Sequence, residues 1–363
     1  MAYTIREIAD ALGAEASGDQ EFQIRRPSEP SRAGAEDLAL AMDPSYGPAL
    51  AQGQARAAVL WDGADWQSLG LTAAIFVSRP RFAMSHITNF FAVPPDMPVG
   101  IHPTAIIGPD AEIAEGASIG AYCVIGAGVR IGPNARIGSQ VTIAEQTSIG
   151  ADCLLYSGVR IGSFVTIGDR FAAHFNAVIG SDGFSYVTPE KSAVEDARAT
   201  LGKAVEFRDQ TWHRIASVAS VVIGDDVEIG ANSSIDKGTV ASTRIGSGTK
   251  LDNQCQIGHN VVTGRDCLIC GHTGVAGSAV LGDRVVLGGQ SGVADHVTLG
   301  SDVIAGGASA ILSNVPGGRV VMGYPAVKMD QNIENYKMVR RLPRLVRKVA
   351  ELEEAVKNLS GKS

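Results

Sequence analysis

The chain has 363 residues, of which 43 are glycine and 6% aromatic, and it carries 31 Lys and Arg against 38 Asp and Glu. That composition disfavours a globule packed round aromatic side chains, and the net charge of −7 argues against nucleic acid as the main partner. Met1-Ala2-Tyr3-Thr4-Ile5-Arg6-Glu7 lacks the apolar centre of a signal peptide, no run is long enough to cross a bilayer, and the cysteine usage fits a reducing compartment; a soluble cytoplasmic protein is expected.

Residues 1–98 show no period of six. Ile5, Ile8, Ala9 and Leu12 share one face of a short amphipathic helix. Ala57 to Trp61 and Ala73 to Val77 read as short buried strands, and Arg81 to Phe91 as a helix after Pro80. A small α/β domain is expected here, followed by a linker at Pro94-Pro95 and Pro98.

A hexapeptide repeat starts at Ile101 and occupies residues 99–313. Apolar anchors recur without slip from Ile101 to Ile179, only Ala173 being small, and again from Leu251 to Ile311, where Thr263 and Ala305 break the aliphatic rule. The position four after an anchor is usually small, as in Cys255, Val261, Cys267, Thr273 and Ala279. A period of six suits a coil of three short strands, 18 residues per turn, whose turns stack as a solenoid. Cys123, Cys153, Cys255 and Cys267 all fall in the small inward slot, so Cys267-Leu268-Ile269-Cys270 reads as packing and not as half of a zinc site.

The phase is lost from Gly180 to Val221, a segment holding Ser181-Asp182-Gly183-Phe184-Ser185-Tyr186, Phe207 and Trp212. Excursions from a solenoid lie on one face, often the binding face. The phase returns at Ile223 and then jumps by four residues before Ile245, which predicts a corner loop near Lys237 to Thr243. Repeat arithmetic also places polar residues. His259 lies two after its anchor, and Gly277 is 18 further on, at the same corner one turn away, with stacked strands about 4.8 Å apart. His296 lies two turns along, displaced by one residue, whereas His272 belongs to a different corner.

After Ile311 the coil is expected to end, with Pro316-Gly317-Gly318 and Gly323-Tyr324-Pro325 as loop. Met329 to Arg341 reads as one helix and Pro343 as the start of a second, so residues 314–363 form a loop and helices. Leu345, Val349, Leu352, Val356 and Leu359 form a short heptad seam, which implies self-association. Lys337, Arg340, Arg341, Arg344, Arg347 and Lys348 cluster without an acid; an acidic partner and a merely solvated face both remain open.

The hexapeptide pattern resembles the left-handed β-helix acyltransferases, and the run Leu251-Asp252-Asn253-Gln254-Cys255-Gln256-Ile257-Gly258-His259-Asn260-Val261-Val262 is similar to that of the UDP-3-O-(3-hydroxyacyl)glucosamine N-acyltransferase family of lipid A biosynthesis. The resemblance extends to the N-terminal domain, the Asp182-Gly183-Phe184 loop and the C-terminal helices. It implies a mainly β protein, a left-handed parallel β-helix with a small N-terminal α/β domain and C-terminal helices. It also implies a homotrimer, transfer of a 3-hydroxyacyl chain from acyl carrier protein to the 2-amine of a UDP-sugar, and no metal or bound cofactor. By position, His259 matches the general base and Gly277 the glycine whose N–H faces the thioester oxygen. Asn253, Gln256 and His296 match sugar- and phosphate-contacting positions; Asp43-Pro44-Ser45-Tyr46 matches the uracil-holding segment, and Arg340, Arg344 and Arg347 are the carrier-facing candidates. Leu40 and Asp43 stand where the family usually has Phe and Asn, so stacking and an amide donor are both missing there.

The chemistry of these residue types agrees. An amine attacking a thioester must lose a proton, which histidine accepts near neutral pH, and the tetrahedral oxyanion needs a preorganised donor. Other readings stay open: an O-acyltransferase of the same pathway, a sugar-nucleotide acetyltransferase using acetyl-CoA, and a γ-carbonic-anhydrase-type metal hydratase.

Overall fold

The computed structural model describes residues 2–207, 209–323 and 326–360. The chain divides into two compact units, Met1–Asp96 and Met97–Ser363.

In the first unit, helix Ile5–Leu12 starts at Thr4, whose side chain and that of Glu7 cap each other's backbone N–H. It ends at Gly13 in the left-handed conformation that only a residue without Cβ takes freely. Its Ile5, Ile8 and Ala9 are buried on one face of a five-stranded sheet, together with Ile24, Leu38, Val59, Ile75 and Ile87. The sheet order is Glu15–Gly18, Ala73–Val77, Ala57–Trp61, Asp37–Ala41, Arg26–Ser28; the first pairing is antiparallel and the rest are parallel. The expected strands Ala57–Trp61 and Ala73–Val77 lie side by side in the sheet, and the expected second helix spans Pro80–Phe91. Asp37–Ala41 was not legible, because Asp-Leu-Ala-Leu-Ala has no β-branched residue to mark a strand.

The second unit is a parallel β-solenoid. Two-residue strands pair with partners 18 positions on, as in Ile119 with Ile137 and Ile257 with Val275. Among the described residues they form three parallel sheets of nine, eleven and ten strands. Anchors such as Ile125, Ile137, Ile143 and Leu155 fill the bore and are almost wholly buried. Each such side chain contributes about 1.5–3 kcal/mol relative to exposure. Where the anchor shrinks to Ala173, the usually small slot two residues earlier holds Phe171, the largest fully buried side chain, so bore volume is conserved. The third residue after an anchor turns the corner with positive φ, from Asp110 (55°) to Asn260 (62°) and His296 (60°). Asp, Asn and His tolerate this conformation better than branched residues.

The phase breaks are where the sequence put them. The strand Val178–Ser181 pairs with Ser234–Asp236 through a bulge after Ile179, and the chain leaves the coil there. It re-enters at Val221–Ile223, so Thr166 pairs with Val222, 56 positions on. The excursion contains the pair Tyr186–Val187 with His213–Arg214 and a helix, Ala193–Thr200, started by a Ser192–Glu195 capping box. The four-residue jump is the loop between strands Ser234–Asp236 and Thr243–Ile245.

Two expectations are corrected at the C-terminal end. The coil does not stop at Ile311: Val315 bridges to Leu299, and Val320–Val321 pairs with Ile304–Ala305. Pro316-Gly317-Gly318 is the corner between these pairings, a turn that reads as a terminus because it lacks an anchor. Tyr324 and Pro325 lie outside the described residues. Pro343 does not start a second helix; it sits inside one helix, Met329–Ser360. A proline deletes a single N–H donor, and the turns on either side continue the helical spacing through it. Leu345, Val349, Leu352, Val356 and Leu359 are all exposed within the chain.

Candidate active site

His259 and Gly277 occupy equivalent corner positions on successive coils, because strand Gln256–Ile257 pairs in register with Gly274–Val275. They touch: a methyl group built on Gly277 would lie 2.6 Å from His259 Cε1 and 2.7 Å from Nε2. On the ring's other side is Gly183, where a methyl would lie 2.6 Å from His259 Cβ and 3.0 Å from Cγ and Cδ2. The imidazole therefore sits between two positions that admit no side chain.

The tautomer of His259 is fixed by its neighbour. Asn260 Oδ1 lies 2.9 Å from His259 Nδ1. The amide orientation of Asn260 is itself determined, since its oxygen accepts the Thr239 N–H (3.1 Å) and its Nδ2 donates to the Ala241 carbonyl (2.7 Å). Nδ1 must then carry hydrogen and donate, so in the neutral ring Nε2 is the open edge facing Gly277. The anchoring groups lie in the four-residue loop that interrupts the repeat, so the interruption is part of the site.

Gln256 is brought to the same place. Its Nε2 donates to Asp236 Oδ2 at 2.9 Å, and both line a cavity of about 460 Å³ with His259 and Gly277. Burial pushes the Asp236 carboxyl above its ordinary pKa, against the opposing pull of Gln256 and the His259 charge. Nearby, Asp182 pairs with Lys237 (3.0 Å) and Arg214, and the Lys237 hydrogen bond is the main cause that holds its carboxyl below the usual range. The Gly183 N–H donates to Ser217 Oγ at 2.9 Å. These bonds fasten the start of the excursion against the base.

A second, larger cavity of about 860 Å³ also borders His259 and Gly277. Its solenoid wall includes His296 and Asp295, and its opposite wall comes from the excursion, including Phe184, Tyr186, Val194 and Trp212. Arg198 of the excursion helix reaches Asp295, Nη1 to Oδ2, at 3.4 Å.

The other expected residues belong to other elements. Asn253 follows a different strand, Lys250–Leu251, and its side chain accepts the Ala231 N–H at 2.7 Å; the His272 N–H donates to its carbonyl, so these two share another corner. Asp43 and Tyr46 belong to the first unit, just after strand Asp37–Ala41. Asp43 Oδ1 accepts from Ser45 Oγ (2.6 Å) and Ser45 N (2.9 Å), which lowers its pKa, and Tyr46 is exposed. Arg340, Arg344 and Arg347 are exposed on the C-terminal helix, where Arg340 lies over the Tyr336 ring and Lys337 pairs with Glu334.

Sequence reasoning missed Gly183, Asp182, Asp236, Asn260, Asp295 and Arg198. Asp295 was within reach, being 18 after Gly277. Arg198 was not, because the excursion carries no phase. Among the described residues no three His, Cys, Asp or Glu side chains converge as a metal-binding group, and no helix is long and apolar enough to cross a membrane.

The family profile described as bacterial transferase hexapeptide (six repeats) matches residues 98–132 and 110–145, and that of the hexapeptide repeat of succinyl-transferase matches 128–163 and 220–262. Among curated relatives, the UDP-3-O-acylglucosamine N-acyltransferase of Ruegeria pomeroyi is 56% identical, covering 98% of both chains. The protein of the same name from Paracoccus denitrificans is 53% identical over 100% of this chain and 99% of its own, and that from Pseudomonas syringae pv. syringae is 37% identical over 76% and 74%. Among solved structures, Arabidopsis UDP-N-acetylglucosamine acyltransferase superposes with a TM-score of 0.51 at 24% identity, covering 61% of this chain and 71% of its own. The solenoid has the left-handed β-helix fold.

Proposed function

The chain belongs to the UDP-3-O-acylglucosamine N-acyltransferase family, and from that premise we propose that it moves a 3-hydroxyacyl chain from acyl carrier protein to the 2-amine of a UDP-3-O-acylglucosamine in lipid A biosynthesis. The observation that carries the reading is the open Nε2 edge of His259, held by Asn260 and set against the Gly277 backbone. The amine nitrogen attacks the thioester carbon. A C–N bond forms, and the carbonyl oxygen takes the electron pair of the broken π bond. His259 Nε2 accepts the ammonium proton and the Gly277 N–H receives the oxyanion. Collapse re-forms the carbonyl and breaks the C–S bond; the imidazolium returns its proton to the leaving thiolate. Gln256 and His296 line the two cavities that meet at His259, where they orient the sugar and its diphosphate. Asn253, on another corner, would meet substrate across an interface between copies of the chain, as in a homotrimer. Asp43 and Tyr46 receive the uracil, and Arg340, Arg344 and Arg347 face the acidic carrier.

His259→Ala tests the base. General-base loss costs about 10²–10⁴-fold in rate. The variant should lose kcat by that order, with product followed by mass spectrometry from acyl carrier protein and UDP-sugar. Near-full turnover would remove His259 from the mechanism.

A further inference from the structure

We propose that Arg198, on the excursion helix Ala193–Thr200, is a positioning residue that draws the Asp295 carboxylate off the Gly277 N–H and keeps this oxyanion donor open. The proposal rests on the role given to Gly277 and deepens it.

Some solenoid corners, on the two sheets other than that of Gly274–Val275, share a capping device: there the N–H of the residue two after an anchor is capped by the side chain of the equivalent residue one coil on. Ala151 donates to Asp169 Oδ1 at 2.7 Å, Ala231 to Asn253 Oδ1 at 2.7 Å, Arg265 to Asp283 Oδ1 at 2.9 Å and Asp283 to Ser301 Oγ at 3.1 Å. Gly277 and Asp295 stand in the same relation, two after Val275 and Val293, whose strands pair in register. The corner geometry is also the same: the His296 N–H donates to the Gly277 carbonyl (3.1 Å) as the Arg284 N–H donates to the Arg265 carbonyl (2.8 Å) at a capped corner. Asp295 thus has the side chain and the position to cap Gly277.

It caps nothing there. Its Oδ2 lies 3.4 Å from Arg198 Nη1, and among the described residues the Gly277 N–H donates to no acceptor. A capped amide cannot receive the thioester oxygen, and a carboxylate in its place would repel the charge that develops on that oxygen. Arg198 and Asp295 are both substantially exposed, and exposed ion pairs are individually weak. Removing the guanidinium therefore frees the carboxylate to take the position its counterparts take at other corners.

The test uses the full-length protein as Arg198→Ala, Asp295→Ala and the double variant, with kcat, KM and the amide signal of Gly277 under selective ¹⁵N-glycine labelling. Arg198→Ala should lower kcat by about 10²-fold, the order lost with one oxyanion donor, and the double variant should return to within roughly threefold of native. The Gly277 amide proton should move downfield and exchange more slowly in Arg198→Ala, and revert in the double variant. A native kcat with an unmoved Gly277 signal would overturn the proposal, as would a double variant as slow as Arg198→Ala. A capped Gly277 amide at native kcat would instead remove Gly277 from the oxyanion role, and the proposal with it.

Discussion

Gly183→Ala is a one-carbon perturbation aimed at the base without touching it. The added methyl would lie 2.6 Å from His259 Cβ, whereas carbon contacts are comfortable only from about 3.5 Å. The two groups must therefore separate by about 1 Å. Gly183 has little room to retreat, since its N–H is bonded to Ser217 Oγ and the preceding Asp182 is held by Lys237 and Arg214. The shift falls on the imidazole, and a 1 Å misplacement of a catalytic group costs on the order of 10²-fold. We expect kcat to fall by about 10²-fold with the UDP-sugar KM within roughly threefold of native, in steady-state assays on protein whose thermal midpoint is checked in parallel. The same change made in His259→Ala should cost nothing further, because the group through which it acts is gone. Native turnover in Gly183→Ala, or an undiminished further loss in the His259→Ala background, would refute the reasoning.

Phe171→Ala empties the bore beside the small anchor Ala173 and should destabilise the solenoid by about 3–5 kcal/mol, read as a lowered denaturant midpoint; an unchanged midpoint would mean the neighbours collapse into the space. Tyr46→Ala should weaken UDP-sugar binding in calorimetric titration, because an exposed ring that can pack on uracil is removed. Asp43→Asn keeps the cap on Ser45 while restoring an amide donor, and should tighten binding by up to roughly tenfold. Charge reversal of Arg340, Arg344 and Arg347 to Glu should raise KM for the acyl carrier, less so as salt shortens the Debye length below about 10 Å, and leave the UDP-sugar KM alone; unchanged constants would make the cluster a solvated face.

Periodicity made the solenoid legible. In a stack of equal coils, neighbours in space are neighbours at a fixed offset in sequence, so the contact of His259 with Gly277 followed from a spacing of 18. The same arithmetic located the excursion, the four-residue loop and the inward cysteines. Folding was needed wherever the period fails. The excursion's residues have no offset to count from, so nothing in the sequence placed Gly183 against His259 or Arg198 beside Asp295. The irregular loop likewise hid the Thr239 and Ala241 backbone groups that orient Asn260 and, through it, the tautomer of the base. Asp37–Ala41 escaped notice because parallel pairing, and not its own side chains, makes it a strand. The C-terminal helix runs through Pro343 because one lost donor does not outweigh the turns on either side. The residues spelled out the one-dimensional repeat; which groups press on the base was decided by chain that leaves that repeat and comes back.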